Sequence, residues 1–130
     1  MKLDVWEAVS SLLEAGGKFL VERYCLVNDK GHYHREDGPA VIYLNGNQFW
    51  CRDDVLHRED GPAVIRSNGE QSWYRNGKRH RDDGPAIIYP DGGQHWYRNG
   101  LLHRDDGPAV TKRDGTQYWY RNGNRHRVDE

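Results

Sequence analysis

The sequence has few large aliphatic side chains and almost no net charge. Leu, Ile, Val and Phe together make up 24 of the 130 residues, about 18%, a fraction at which a highly charged chain would be disordered. The net charge is only −1, from 19 Lys and Arg against 20 Asp and Glu. Five Trp and eight Tyr supply large buriable surfaces. We therefore expect a folded chain with a thin aromatic core, and the missing positive excess argues against DNA as a partner.

Targeting signals and cysteine motifs are also missing. No run of eighteen apolar residues is present, and Asp4 and Glu7 stand where a secretory signal would be basic and then apolar. We expect a cytoplasmic protein, in the host cytoplasm if it is viral, without a membrane partner. Cys25 and Cys51 lack the CxxC spacing of redox and metal motifs, and we expect both to be free thiols.

What the sequence does contain is a repeat of 23 residues. The motif His-Arg-(Glu/Asp)-Asp-Gly-Pro-Ala begins at positions 34, 57, 80 and 103. A second block is an aromatic pair, found as Trp73-Tyr74, Trp96-Tyr97 and Trp119-Tyr120, with Trp50-Cys51 as a degenerate first case. Partial units at both ends extend the array over residues 27–130. Residues 1–26 then form a separate N-terminal helix and linker.

Each unit carries two turn signals. One series is Asn45-Gly46, Asn68-Gly69, Asp91-Gly92 and Asp114-Gly115, and the other is Asn76-Gly77, Asn99-Gly100 and Asn122-Gly123. Asn-Gly and Asp-Gly supply the two positive φ values of a type I′ hairpin. The pattern predicts a mainly β fold, an elongated antiparallel β-meander of 23-residue hairpin repeats with one N-terminal α-helix. Asp53-Asp54 replaces Asn-Gly in the first unit, where we expect a less regular turn.

Two-residue turns also predict a register. Counting outward from Asn76-Gly77 places Tyr74 opposite Arg79 and Trp73 opposite His80. The same count around Asn68-Gly69 places Ile65 opposite Ser72, Val64 opposite Trp73 and Ala63 opposite Tyr74.

The His-Arg-x-Asp-Gly-Pro-Ala motif is interpreted as structural. Pro cannot donate to a strand ladder and Gly permits a bend, so Asp-Gly-Pro is expected to kink the chain, with the Arg-x-Asp ion pair fixing the kink. The His is expected to stack on Trp and to bond a carboxylate or carbonyl. Zn²⁺ ligands lie about 2 Å from the ion, whereas units two strands apart are displaced by roughly 10 Å. We therefore expect no metal site.

The N-terminal segment from Leu3 to Gly17 has helical periodicity. Asp4 and Glu7 fit an N-cap with its capping partner, and Gly16-Gly17 fits a helix stop. The apolar stripe is expected to be Trp6, Val9 and Leu13, with Val5 and Leu12 beside it. The favoured interpretation is a cap on the N-terminal edge of the sheet. The alternative is a docking helix for a partner or for self-association.

The repeat resembles a known family. The stretch Gly69-Glu70-Gln71-Ser72-Trp73-Tyr74-Arg75-Asn76-Gly77 is similar to the MORN repeat, in the His-Arg-x-Asp-Gly-Pro-Ala variety of bacterial, phage and large-virus proteins. The resemblance covers about four fifths of the chain. It implies an elongated array of hairpins, and relatives serve as scaffolds, partner-binding modules, proposed lipid contacts and predicted antitoxin components.

Catalysis is not expected. An active site needs a locally unique constellation, whereas the His, Arg and Asp of this chain recur in every unit. No nucleophile motif, phosphate loop or HExxH is present in the sequence. We therefore expect neither an enzyme nor a bound cofactor.

The expected function is a non-catalytic protein-interaction module, a bacterial or phage factor that binds and inhibits or scaffolds a partner protein. One alternative is sequestration of a small cyclic or signalling nucleotide by Arg and aromatic side chains, and a second is lipid contact as proposed for other MORN proteins. An open sheet edge at His126 also predicts a homodimer. The candidate binding residues are Trp50, Trp73, Trp96, Trp119, Arg58, Arg81, Arg104, His57, His80, His103, Val55, Leu56, Leu101 and Leu102.

Overall fold

The computed structural model describes residues 3–126, and this part of the chain is mainly β. It contains one helix, α1 (Leu3–Glu14), and seventeen short strands. The strands are β1 (Lys18–Leu20), β2 (Arg23–Cys25), β3 (Val41–Tyr43), β4 (Gln48–Phe49), β5 (Cys51–Arg52), β6 (Val55–Leu56), β7 (Val64–Ile65), β8 (Gln71–Ser72), β9 (Tyr74–Arg75), β10 (Lys78–Arg79), β11 (Ile87–Ile88), β12 (Gln94–His95), β13 (Tyr97–Arg98), β14 (Leu101–Leu102), β15 (Val110–Thr111), β16 (Gln117–Arg121) and β17 (Asn124–His126).

The strands form the predicted antiparallel meander, arranged in two rows of hairpins. The first row is part of one open sheet of eleven strands, in the order β1-β2-β3-β4-β7-β8-β11-β12-β15-β16-β17. The second row consists of β5/β6, β9/β10, β13/β14 and the outer half of β16 with β17. Each complete unit therefore contributes one hairpin to each row.

The two rows join at the Trp of each unit. The Trp73 amide donates to the Ala86 carbonyl at 2.7 Å, and the Trp73 carbonyl accepts from the His80 amide at 3.1 Å. The same two bonds recur at Trp50 and Trp96. Each Trp thus connects the two rows: its amide bonds a residue of the first row, and its carbonyl bonds a residue of the second row.

Turns of the second row have the predicted type I′ form. Asn76 and Gly77 have φ values of 51° and 82°, and Tyr74 lies opposite Arg79 as expected. Asp53 and Asp54 also have positive φ, at 49° and 68°, and β5 and β6 pair in the same register. The prediction of a less regular turn there was wrong, because Asp tolerates this conformation and Asp54 accepts a bond from the Tyr33 amide at 2.6 Å.

Turns of the first row differ from the prediction. At the second unit only Gly69 has positive φ, at 98°, and its amide donates to the Arg66 carbonyl at 2.9 Å. This is a type I turn followed by a left-handed glycine, a loop of three residues instead of two. The extra loop residue shifts the register by one position. The predicted first-row register was therefore wrong, and the observed pairs are Val64 with Ser72 and Ile65 with Gln71.

Helix α1 ends as predicted but buries a different stripe. Gly16 has a φ of 102°, and the Gly17 amide donates to the Leu12 carbonyl at 3.0 Å, as in a Schellman motif. Asp4 lies within the helix instead of at its N-cap. Val5, Val9 and Leu12 are the buried residues. The predicted stripe was wrong in Trp6 and Leu13, which are 47% and 44% exposed.

The helix lies on one face of the sheet and leaves the sheet edge exposed. Its buried stripe packs with Ile42 of β3, next to Tyr24 and Leu26. Residues 18–25, expected as a linker, instead form the β1/β2 hairpin, and β1 is the edge strand. Within the described residues, no helix has the length and apolar character needed to cross a membrane.

The core is thin and repeats from unit to unit. The Ala of each motif is fully buried, and the residue that follows it, Val or Ile, is buried beside it. These residues are Ala40, Val41, Ala63, Val64, Ala86, Ile87, Ala109 and Val110. One small and one medium side chain per unit explain how so few aliphatic residues suffice.

Candidate functional site

In three of the four motifs, the Arg stacks on the Trp of the preceding aromatic pair. The Arg81 Cζ lies 4.0 Å from the ring centroid of Trp73, well within cation–π range. On its other side the guanidinium lies against Gly84, where an added Cβ would be 2.7 Å from Arg81 Cζ. Arg58 on Trp50 and Arg104 on Trp96 repeat this arrangement. We call these three assemblies the Arg–Trp stacks, and they explain the Gly of the motif.

Hydrogen bonds hold the stacked guanidinium in place. Arg81 Nη1 donates to the Pro85 carbonyl at 3.1 Å, and Arg81 Nε lies 3.7 Å from Asp83. The ion pair between Arg and the Asp two residues on occurs in all four units, at 3.0 to 3.7 Å, as predicted. In the first unit Arg35 also donates to Ser11 Oγ of α1 at 2.6 Å. Each of these Arg side chains therefore uses part of its hydrogen-bonding capacity and its charge within its own motif.

The His of each motif links one unit to the next. His80 Nε2 lies 2.8 Å from Asp82 Oδ1, and His80 Nδ1 accepts from the Asn99 amide at 3.0 Å. Nδ1 therefore carries no proton, and Nε2 is the donor to Asp82. The predicted bond to a carboxylate is confirmed. The group that lies over the indole is the Arg, and the ring contacts found among residues 3–126 include no stack of a motif His on Trp.

In the second, third and fourth motifs, the carboxylates that receive these bonds have lowered pKa values. The bond from His57 lowers the pKa of Glu59, and bonds from His80 and Arg75 lower that of Asp82. The pKa of Asp105 is lowered first by the bond from Arg98 and then by that from His103. The ionised form of each carboxylate is thus favoured by folding.

The remaining predicted site residues lie in the second row. Val55 and Leu101, both partly exposed, lie against the turn glycines of the following hairpins, Gly77 and Gly123. Leu56 and Leu102 are half-buried and lie opposite Cys51 and Tyr97. The two pairs are two units apart and do not form one patch. Trp119 lies within β16, opposite His126.

A second surface, whose residues are not among the candidate binding residues, combines side chains of both rows. Arg79 Cζ lies 5.7 Å from the Tyr74 ring and 5.6 Å from the Tyr97 ring. Arg125 lies 4.2 Å from the ring of Tyr118, which Lys112 Nζ also approaches to 5.3 Å. We call this surface the shared face, and it comprises Tyr74, Arg79, Tyr89, His95, Tyr97, Lys112, Tyr118 and Arg125.

The cations of the shared face are not neutralised. Within residues 3–126, Arg79, Lys112 and Arg125 form no ion pair within 4 Å. His95 lies between the rings of Tyr89 and Tyr97, at 5.1 and 6.5 Å. Burial lowers the pKa of His95, and the nearby charges of Arg79 and Lys112 lower it further. Lys112 does lie near Asp114, whose pKa its charge lowers, so Arg79 and Arg125 are the cations of this face that have no close carboxylate within residues 3–126.

The same side of the first unit is closed and apolar. Cys25, Val41 and Cys51 are buried there, and Phe49 and Leu56 pack against them. Both cysteines are free thiols, as expected. Burial raises the pKa of Cys51 to about 11, which keeps the thiol protonated and unreactive at neutral pH.

Hollows are found beside both surfaces. A hollow of about 490 Å³ opens on the shared face between Tyr89, His95 and Lys112, and its lining also includes Asp91, Arg113 and Asp114. A groove of about 440 Å³ lies between two Arg–Trp stacks and is lined by Arg58, Arg75, Arg81, Glu59, Asp60, Asp82 and Asp83. That groove carries four carboxylates against three guanidinium groups, so it offers no excess of positive charge to an anion.

Variation between units is the sequence signal that marks the shared face. Position 79 is Arg where the other units have Leu56, Leu102 and Arg125, and position 95 is His where they have Phe49, Ser72 and Tyr118.

Among residues 3–126, no group of three or more His, Cys, Asp or Glu is placed to hold a metal ion. Comparison with protein-family models, curated proteins and solved structures finds no match to the chain. The resemblance to MORN repeats therefore stays a prediction carried by the motif residues.

Proposed function

We propose that the chain is a non-catalytic interaction module that holds an acidic segment of a partner protein on the shared face. The observation that carries this proposal is a set of cations, Arg79, Lys112 and Arg125, that lie near Tyr rings and form no ion pair within 4 Å in the described part of the chain. Arg and Tyr are among the residues that dominate interface energetics. Complementary charge adds speed and specificity of association.

The layout of the shared face favours an extended segment over a compact ligand. Arg79 lies near the rings of Tyr74 and Tyr97, whereas Lys112 and Arg125 both lie near the ring of Tyr118, further along the array. A segment with several carboxylates would contact more of these cations than one small anion could. By covering an acidic segment, a bacterial or phage factor of this kind would inhibit or scaffold its partner.

Sequestration of a small nucleotide is the second candidate function. The hollow between Tyr89, His95 and Lys112 supports it, because its volume of about 490 Å³ is in the usual range for small-ligand sites. The Arg residues first assigned to this role, Arg58 and Arg81, give it less support, since both stack on Trp and bond within their own motif.

A titration with an acidic peptide tests the proposed function. The probe is a fluorescently labelled peptide of alternating Glu and Tyr, followed by anisotropy at low and high salt. We expect saturable binding that weakens with salt, and a loss of at least about tenfold in affinity when Arg79, Lys112 and Arg125 are all changed to Gln. The matched control changes Lys30, Lys78 and Arg121 to Gln, which removes the same charge from outside the shared face.

Parallel titrations separate the alternatives. ATP and cyclic GMP test nucleotide capture, and vesicles with anionic headgroups test lipid contact. If both triple variants lose the same affinity for the peptide, the binding depends only on the net charge of the chain. That result would overturn the assignment of the binding site to the shared face. Tight binding of a nucleotide or of vesicles, with no binding of the peptide, would replace the proposed function by the corresponding alternative.

A further inference from the structure

The exposed apolar side chains are concentrated at the N-terminal end of the array. Of the ten large hydrophobic residues that are exposed in the described chain, eight lie between positions 6 and 44. They are Trp6, Leu13, Phe19, Leu20, Val21, Val27, Tyr43 and Leu44. Phe19 is 51% exposed and Val21 is 78% exposed. This end of the molecule is therefore unlike the polar turns and loops that border the other units.

These residues surround a strand that is paired on one side only in the described chain. Within residues 3–126, β1 pairs with β2 and with no other strand. Leu20 and Arg23 flank the two-residue turn and form the hydrogen-bonded pair next to it. Because bonded and non-bonded pairs alternate along an antiparallel ladder, the amide and carbonyl of Phe19 point away from β2. Phe19 thus presents a free donor and a free acceptor at the sheet edge.

Apolar side chains lie on both faces of the sheet at this edge, next to Lys18 and Arg23 on one of them. Phe19 shares one face with Tyr24 and Ile42, and its ring lies 5.0 Å from that of Tyr24. Leu20 shares the opposite face with Tyr43. Proteins protect exposed edges with charge, proline or bulges, and only Lys18 provides such protection within β1. A strand added at this edge would bury apolar surface above and below itself.

We propose that β1 pairs antiparallel with β1 of a second copy of this chain, about a twofold axis through Phe19. This inference is independent of the proposed function, since it concerns the other end of the array. The register places Phe19 opposite Phe19 of the second copy, where each amide meets the other carbonyl. It also places Lys18 opposite Leu20 of the second copy, so the two ammonium groups do not face each other. Self-complementarity of this kind is what a twofold interface requires.

The opposite end of the sheet fits a second copy less well. The edge strand β17 carries Asn124 and Arg125, which are both exposed and polar. Arg125 in addition lies over Tyr118 of the shared face. A homodimer, which the sequence predicted at the C-terminal end, is therefore assigned to the N-terminal edge instead.

Sedimentation equilibrium of the full chain tests the assignment. The wild-type chain of 15.2 kDa is expected to show twice that mass at high concentration. Phe19→Pro removes the outward donor without removing a bond to β2, and Phe19→Lys puts two ammonium groups opposite each other. Each variant is expected to raise the dimer dissociation constant at least about tenfold. Leu101→Lys, a change at an exposed apolar residue of the second row, is the control and is expected to leave the constant unchanged.

Amide hydrogen exchange provides a readout that does not depend on the variants. The Phe19 amide is expected to exchange more slowly as the wild-type concentration rises, whereas the Asn124 and Arg125 amides are not. A circular dichroism spectrum confirms that each variant is folded. A wild-type chain that stays monomeric at all concentrations, or a dimer that persists in both Phe19 variants, would overturn the proposal.

Discussion

The Arg–Trp stacks and the shared face use the same kinds of side chain, and they differ in whether the charges are paired. In a stack, Arg81 has Trp73 on one side, Gly84 on the other and polar partners at Pro85 and Asp83. On the shared face, Arg79 lies between two Tyr rings with no carboxylate within 4 Å in the described chain. The stacks recur in each unit, whereas the shared face changes along the array. Repetition here marks the residues that build the fold, and variation marks those left for a partner.

The largest expected effect is the loss of a stack. Trp73→Ala removes the ring under Arg81 and is expected to lower the free energy of unfolding by roughly 3 kcal/mol. Urea denaturation followed by circular dichroism measures it. Trp6→Ala, at an exposed position of α1, is the control and should change stability by less than about 1 kcal/mol. If the two variants were equally stable, the stacks would not be part of the framework.

A smaller loss is expected when the glycine of a stack gains a side chain. The Cβ of Gly84→Ala would lie 2.7 Å from Arg81 Cζ, and overpacking of this kind costs about 1–3 kcal/mol. The double variant Gly84→Ala with Arg81→Ala separates the two contributions, because the clash is absent without the guanidinium. We expect the glycine substitution to cost clearly less in the Arg81→Ala background. An equal cost in both backgrounds would place the strain in the backbone instead of in the stack.

Acid is expected to weaken the same framework. The native pKa values of Glu59, Asp82 and Asp105 are lowered, so their contribution to stability is complete above the unfolded values of 4.5 and 3.8. It is lost as the pH falls through the lower native values. The melting temperature should therefore drop below about pH 4.5. The triple variant Glu59→Gln, Asp82→Asn, Asp105→Asn should show a flatter pH profile than Asp29→Asn, and identical profiles would contradict this linkage.

The shared face is expected to contribute least to stability. Arg79→Gln leaves Tyr74 and Tyr97 in place and breaks no ion pair of the described chain, so its cost should stay within about 0.5 kcal/mol. The same variant should weaken the binding of the Glu and Tyr peptide, and the loss of affinity should be larger at low salt than at high salt. Chemical denaturation and anisotropy on one protein sample give both numbers. A large loss of stability would move Arg79 from the binding surface to the framework.

The sequence predicted the elements of the fold better than their exact pairing. Asn76-Gly77 and Asn68-Gly69 are identical dipeptides, yet the first forms a two-residue turn and the second ends a three-residue loop. Because the dipeptide is the same, the loop length is decided by the pairing of the flanking strands. The conformational preference of Asn-Gly alone therefore does not predict it. The Arg-x-Asp ion pair was predictable because its partners are only two residues apart in the sequence, so the pair does not depend on how distant strands are placed.

The binding surface was harder to predict for a related reason. The repeated motif predicted Arg58, Arg81 and Arg104 as binding residues. These residues recur because they have a structural role in the Arg–Trp stacks. The shared face depends on contacts between the rows, such as that of Arg125 with Tyr118. Tyr118 lies on β16 and Arg125 on the paired strand β17, two positions away from being directly opposite, so the contact depends on how the two side chains are directed across the pair. The helix stripe shows the same limit, since the position of Ile42 beneath α1 decided that Val5 and Leu12 are buried.

The most direct test of the distinction between framework and binding surface is an NMR titration of the wild-type chain with the Glu and Tyr peptide. If the distinction holds, the shifts concentrate at Tyr74, Arg79, His95, Tyr97, Lys112, Tyr118 and Arg125. The indole signals of Trp73 and Trp96 and the ring signals of His80 should stay in place. Shifts centred on the Arg–Trp stacks, with the shared face unperturbed, would contradict it.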